Sequence, residues 1–340
     1  MNQTAVNQAI DGLRDVVALN SDICSIENGV LCYRGYNIDD LAENSNFEEV
    51  VYLLWNARLP KRDELESLRL SIAEQAQLPE GLLAMMKSFP RRTTPMEAIR
   101  TAASAMAMFD AESEDMSPAA NGRKAVRILG QMASVVAAWD RIRNDRAPLA
   151  PRRDLTLAGN FLYMLTGLQP EPLAARALDK AYILHADHEL NASTFAARVA
   201  AGTLTDMHSA VTAAICALKG PLHGGANEQV MRMLNEIGGE KQVEPYIRRK
   251  LDAGRHTVPL LLAGELAKLA RHLLEMAGAR IAVFVDRVSE PHDFLMIIEF
   301  AADVRLHLFF AADFVKHPHH LFIGAPVQRT FECTNGGRDG

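Results

Sequence analysis

Apolar residues recur at helical spacing along most of this chain, and that one feature limits it to a mainly helical fold. Phe47, Val50, Val51 and Leu54 follow at intervals of three and four, which lines one face of a helix. Ser45 with Glu48 has the pattern of a capping box ahead of it, and Leu59-Pro60 closes the segment. Pro95 opens a second helix, to Met106. Residues 123–142 carry Val126, Leu129, Met132, Val135, Val136 and Trp139 on one face, and segments 153–166, 172–187 and 194–218 continue the pattern. The last of these is rich in alanine, which suits close packing in a buried core or at a subunit interface. Against this stands one hairpin signal, Asn28-Gly29 between Ile23–Ile26 and Val30–Tyr33, a dipeptide that fits a tight type I′ turn. Polar residues with Pro118 and Gly122 make Ala111–Gly122 the clearest loop.

Composition narrows the function classes. About half the residues are apolar (49%) and 23% are charged, the mix of a packed globular protein. A net charge of −6 with a pI near 6.0 argues against a nucleic-acid partner, since such domains are usually basic. Anionic substrates would need local arginines, because the overall field repels them. Cys24, Cys32, Cys216 and Cys333 form no paired motif, so all four are expected as free thiols in a reducing compartment. The N-terminus has neither a basic start nor an apolar stretch, and no apolar run reaches the 18 or so residues of a membrane span. A cytoplasmic location with no membrane partner is expected.

Two constellations carry chemistry. The first is His185-Ala-Asp-His188-Glu-Leu-Asn191-Ala-Ser-Thr194, at the end of helix 172–187. Histidines three apart share a helical face, so a metal pair and a structural pair are both open. HADHE is, however, neither HExxH nor its inverse. The second is Gly220-Pro-Leu-His223-Gly-Gly-Ala-Asn-Glu228. Two glycines after a histidine allow close backbone approach by a ligand. They also leave the imidazole at the mouth of helix 226–237, whose dipole disfavours the imidazolium. An ordinary glycine-rich turn between helices is the alternative.

HADHELNASTFAARV followed by GPLHGGANEQVMRML resembles the citrate synthase family, of the short bacterial citrate/2-methylcitrate synthase kind. Tyr33-Arg-Gly-Tyr-Asn-Ile-Asp-Asp-Leu-Ala42, Phe47-Glu-Glu-Val50 and Leu59-Pro60 before a charged helix resemble it too. The match runs from about Gly12 to Gly254. It implies a dimeric, nearly all-α fold of two domains, here expected as a large helical domain over 1–222, a small one over 223–325 and a tail over 326–340. It implies condensation of acetyl-CoA or propionyl-CoA with oxaloacetate to citrate or 2-methylcitrate, a tricarboxylic acid cycle reaction. No metal or resident cofactor is implied, because the coenzyme A thioester is the substrate. By resemblance, His223 donates a hydrogen bond to the thioester carbonyl and stabilises the enolate. His188 binds oxaloacetate, with Asn191 beside it.

The resemblance breaks after Lys250-Leu-Asp-Ala-Gly254. The family supplies there a Gly-His-Arg-Val-Tyr type segment, whose His polarises the ketone, then a base Asp and carboxylate-clamping arginines. This chain has Arg255-His256-Thr-Val-Pro259 instead. None of the six Tyr lies beyond Tyr246, whereas seven of the eleven His and eight of the thirteen Phe lie beyond Arg255. Short echoes make His256 the ketone-polarising candidate, Asp313 the base candidate and Arg329 the clamp candidate. Leu260–Met276 keeps a helical pattern, and Ile281–Val285 is a short apolar run. So abrupt a shift is what a reading-frame change or recombination after codon 254 would be expected to produce. That origin is tested by re-reading the coding DNA in the other two frames for a Gly-His-Arg-Val-Tyr-like segment.

Three readings follow: a working citrate synthase-like acyltransferase, a homologue that keeps ligand binding or a regulatory role with impaired chemistry, and a metal-dependent hydrolase. The last would draw on His185 with His188, or on His317-Pro-His319-His320 with Cys333.

Overall fold

The computed structural model describes residues 21–27, 29–221, 223, 224, 233, 236, 237 and 242–252. Strands β1 (Cys24–Glu27), β2 (Val30–Tyr33) and β3 (Tyr36–Asn37) form an antiparallel meander. The expected hairpin is there, with Glu27 opposite Val30 and Cys24 opposite Tyr33. Gly29 takes a φ of +77°, while Asn28 lies outside the described residues. The third strand was not expected. It returns through Arg34 (φ +49°) and Gly35 (φ +85°), the two positive φ values a type I′ turn requires. The left-handed Arg34 is tied down by its guanidinium, which donates to the Leu54 carbonyl at 3.0 Å.

Ten α-helices follow among the described residues: α1 (Ile38–Asn44), α2 (Phe47–Asn56), α3 (Arg62–Gln75), α4 (Glu80–Lys87), α5 (Pro95–Met106), α6 (Pro118–Arg143), α7 (Leu157–Thr166), α8 (Pro172–Leu184), α9 (Ala192–Ala201) and α10 (Met207–Leu218); an eleventh, α11, covers Val243–Asp252, and a short 3-10 turn, Ala107–Phe109, extends α5. The fold is mainly α, as expected. One apolar core runs from Ile23 to Leu218 and centres on α6, with Leu129, Met132, Val136 and Trp139 fully buried. Where α3 crosses α6, a Cβ on Gly130 would stand 2.7 Å from the Ile72 carbonyl oxygen and 3.0 Å from Ala76 Cα, so glycine permits that approach.

Several boundaries differ from expectation for local reasons. Ser45 ends α1, its N–H bonded to Leu41 O, so the capping box of α2 is built by Asn46 and Glu49. α6 begins at Pro118, with the Ser117 hydroxyl capping Ala120 N, which takes the expected loop down to residues 111–117. Lys124 Nζ braces that loop through Ser113 O and Asp115 O. The alanine-rich segment is two helices rather than one. It breaks at Gly202 and the left-handed Leu204, and Asp206 caps the second half. α9 and α10 pack against each other, and α10 also lies on α5. Cys24 and Cys216 are free thiols, whereas Cys32 is disulfide-bonded, contrary to expectation. Among the described residues, no helix is long and apolar enough to cross a membrane. Of the expected 223–325 domain, the described part is confined to 223–252.

Candidate functional site

α8 stops at Leu184, three residues short of expectation, because His185 closes it. Its N–H and its ring Nδ1 both bond to Ala181 O, the ring at 2.7 Å. That fixes the Nδ1–H tautomer of His185, since a carbonyl only accepts. Burial lowers its pKa, and the neighbouring His188 adds to the effect. His185 is therefore a neutral helix cap. His188 is solvent-exposed, in the turn between α8 and α9.

Asp187 is 1% exposed. Its Oδ1 accepts Glu189 N at 2.7 Å, and Glu189 takes a φ of +57°. Burial raises the Asp187 carboxyl to about 7, against the lowering effect of that hydrogen bond. Asn191 then caps α9, its Oδ1 accepting Thr194 N at 2.9 Å.

The second motif arrives from α10. His223 N donates to Gly220 O at 2.9 Å, and Gly224 N reaches back to Leu218 O at 3.0 Å. A Cβ on Gly224 would collide with that same carbonyl oxygen. The glycine thus closes the turn onto the end of α10 and swings the His223 ring toward α9. There His223 Nε2 lies 2.7 Å from Ser193 Oγ, and Ser193 Oγ lies 2.8 Å from Asn191 Oδ1. The two motifs meet in one chain of contacts, Asn191–Ser193–His223. Burial lowers the pKa of His223, so the ring is neutral at physiological pH. The expected direction is met, but desolvation is its cause, and helix 226–237 lies largely outside the described residues.

Ser193 has one hydroxyl proton. Directed at Asn191, it leaves the oxygen to accept from His223 Nε2–H. Turned to His223 Nε2, it leaves Nδ1–H as the ring's remaining donor. The hydroxyl therefore sets which ring nitrogen can donate to a ligand. Ser193 was missed in the sequence. Its signal was Asn191 as an N-cap, which places the residue two positions on against the cap oxygen.

The structure brings together Asn191 and His223, and places His188 in the turn that leads into them. His256, Asp313 and Arg329, and the cluster His317, His319, His320 and Cys333, lie outside the described residues. Among the described residues, no group of three or more His, Cys, Asp or Glu is arranged to hold a metal ion.

Residues 12–259 match the family model described as citrate synthase, C-terminal domain. The Citrate synthase 2 of Bacillus subtilis is 52% identical over 245 residues, which cover 72% of this chain and 66% of that protein. The Citrate/2-methylcitrate synthase of the same organism is 39% identical over 242 residues, 71% of this chain and 65% of that one. The chain thus spans slightly under two thirds of the length of these curated relatives. The crystal structure of citrate synthase from Pyrobaculum aerophilum shares the fold with a TM-score of 0.73 at 28% identity, covering 97% of this chain and 93% of that one.

Proposed function

The chain belongs to the citrate synthase family, and from that premise we propose that it condenses acetyl-CoA with oxaloacetate to citrate and free coenzyme A. Propionyl-CoA is the second acyl donor in this reading, giving 2-methylcitrate; the name of the 39% identical relative supports it. The observation that carries the reading is the 2.7 Å contact between Ser193 and His223, because it joins the two motifs into one site.

In this reading His188 and the Asn191 amide hold the keto acid. His223, kept neutral by burial, donates from Nδ1 to the thioester carbonyl when Ser193 turns its proton onto Nε2. A C–H beside a thioester is weakly acidic, so an oxyanion donor and a base must act together on a prepositioned methyl group. Asp313 takes the methyl proton, His256 polarises the ketone and Arg329 clamps a carboxylate. The enolate carbon attacks the ketone, and water then cleaves the thioester. The substrates themselves are the partners, no resident cofactor is needed, and two copies of the chain pair as a dimer.

The test mixes purified protein with oxaloacetate and either acyl-CoA and follows thiol release. Release that needs oxaloacetate and vanishes in His223→Ala supports the proposal. A second reading is favoured by the end of the family match at residue 259, ahead of two of the three remaining candidates: a homologue that binds ligand without turnover. Oxaloacetate protection against heat without thiol release would select it, and chelator-sensitive hydrolysis would refute both.

A further inference from the structure

We propose that Tyr33 and Asp187 are positioning residues that hold the turn carrying His188 in its ligand-binding geometry. The inference rests on the reading of His188 as the keto-acid ligand.

Tyr33 is a fully buried strand residue, 0% exposed. Its phenol reaches a segment about 150 residues away. The oxygen lies 3.1 Å from Ile183 O, 3.0 Å from Asp187 O and 3.2 Å from Asp187 N. The single phenol proton serves the two carbonyls, and the oxygen accepts the Asp187 N–H. Ile183 O belongs to the last turn of α8 and also accepts Ala186 N–H at 3.1 Å, so the phenol joins the bonds that close the helix end. The hydroxyl thus ties the helix end to both peptide groups of Asp187, and the second of those peptides leads directly into His188.

Asp187 completes the hold from the other side. Its Oδ1 accepts Glu189 N at 2.7 Å and keeps Glu189 left-handed at φ +57°, a conformation that a residue with a Cβ disfavours. The chain therefore reverses immediately after His188, with both flanking residues fixed and the His188 side chain left exposed. Cys24, the cross-strand partner of Tyr33, adds its thiol to the surroundings of the same carboxyl. None of these contacts touches the His223 side of the site, so the hold acts on keto-acid binding and leaves the acyl-CoA steps alone.

The experiment measures oxaloacetate affinity by calorimetry, kcat, and KM for acetyl-CoA in the full chain. It also measures amide hydrogen exchange over residues 185–189. In Tyr33→Phe, which keeps the ring in the core, we expect exchange in the turn to accelerate and oxaloacetate affinity to fall about tenfold. kcat and the acetyl-CoA KM should stay within about twofold of wild type. Asp187→Ala should weaken oxaloacetate binding at least as much, and Asp187→Asn, which keeps an oxygen for Glu189 N, should restore it. Unchanged exchange, unchanged affinity, or equal losses in kcat and both substrates' KM overturns the positioning role, as does Asp187→Asn behaving like Asp187→Ala. A wild-type chain that binds no oxaloacetate sinks the proposed function and this inference together, and the wild-type measurement alone reveals it.

Discussion

Ser193 Oγ lies 2.7 Å from His223 Nε2, so a helix-start hydroxyl controls the tautomer of a histidine thirty positions further on. Replacing Ser193 by Ala removes that control without disturbing the Asn191 cap. kcat for thiol release should fall about tenfold or more, while stability should shift by only about 1 kcal/mol. If His223 is the oxyanion donor of the proposed function, His223→Ala should cost about 10²- to 10³-fold. Equal kcat in wild type and Ser193→Ala would disprove the tautomer role.

Because burial keeps His223 below its ordinary pKa of 6.5, the neutral ring persists into mild acid. The acid limb of kcat attributable to this histidine should fall below pH 6.5. A pH–rate profile checks this, and an acid limb centred above 6.5 would contradict it.

Asp187 gives stability its own pH dependence. Its folded pKa of about 7 stands above the ordinary 3.8, so the folded state keeps a proton that the unfolded chain has already released. The stability tied to that proton is fully present below about pH 4, declines as pH rises and is gone above about pH 7. Asp179, raised to about 6 by burial and by Glu48, acts with the same sign. Denaturant midpoints of wild type and Asp187→Asn between pH 5 and 8 should differ in slope, the variant gaining about 1–3 kcal/mol relative to wild type at the alkaline end. Parallel slopes would show that Asp187 does not titrate there.

Gly130→Ala should destabilise the fold by about 1–3 kcal/mol, because its methyl group meets the backbone of α3 at Ile72 and Ala76. Gly224→Ala should do something different. The collision with Leu218 O displaces His223, so turnover should fall more than stability. Denaturation curves alongside thiol-release rates separate the two cases.

The dimer in the proposed function has a candidate seat on α9, where Phe195 and Val199 lie four apart on one face, 42% and 57% exposed. Phe195→Asp with Val199→Asp should halve the mass seen by sedimentation. An unchanged mass would place the pairing surface elsewhere.

Helical periodicity made α2, α5, α7 and α8 legible, because their apolar faces repeat strictly. It could not show the break between α9 and α10: alanine suits either side, and the interruption depends on the left-handed Leu204 and the Asp206 cap. The same local competition moved the capping box from Ser45 to Asn46, since Ser45 was already needed at the end of α1. His188, Asn191 and His223 stood out through their motifs. Ser193 did not, because its signal lay in its neighbour: only reading Asn191 as the cap of α9 puts the serine hydroxyl beside the cap oxygen. Tyr33 was visible only as part of a family-like string. What its hydroxyl does depends on a partner far along the chain, and no local pattern reports that.

The small sheet at the start of the chain and the turn it grips are separated by about 150 residues. During synthesis the hairpin is therefore complete long before the carbonyls it must bind have been made. Helix content should recover early in refolding, whereas the keto-acid binding of the proposed function must wait until the end of α8 docks onto the sheet, a closure of high sequence separation and correspondingly slow arrival.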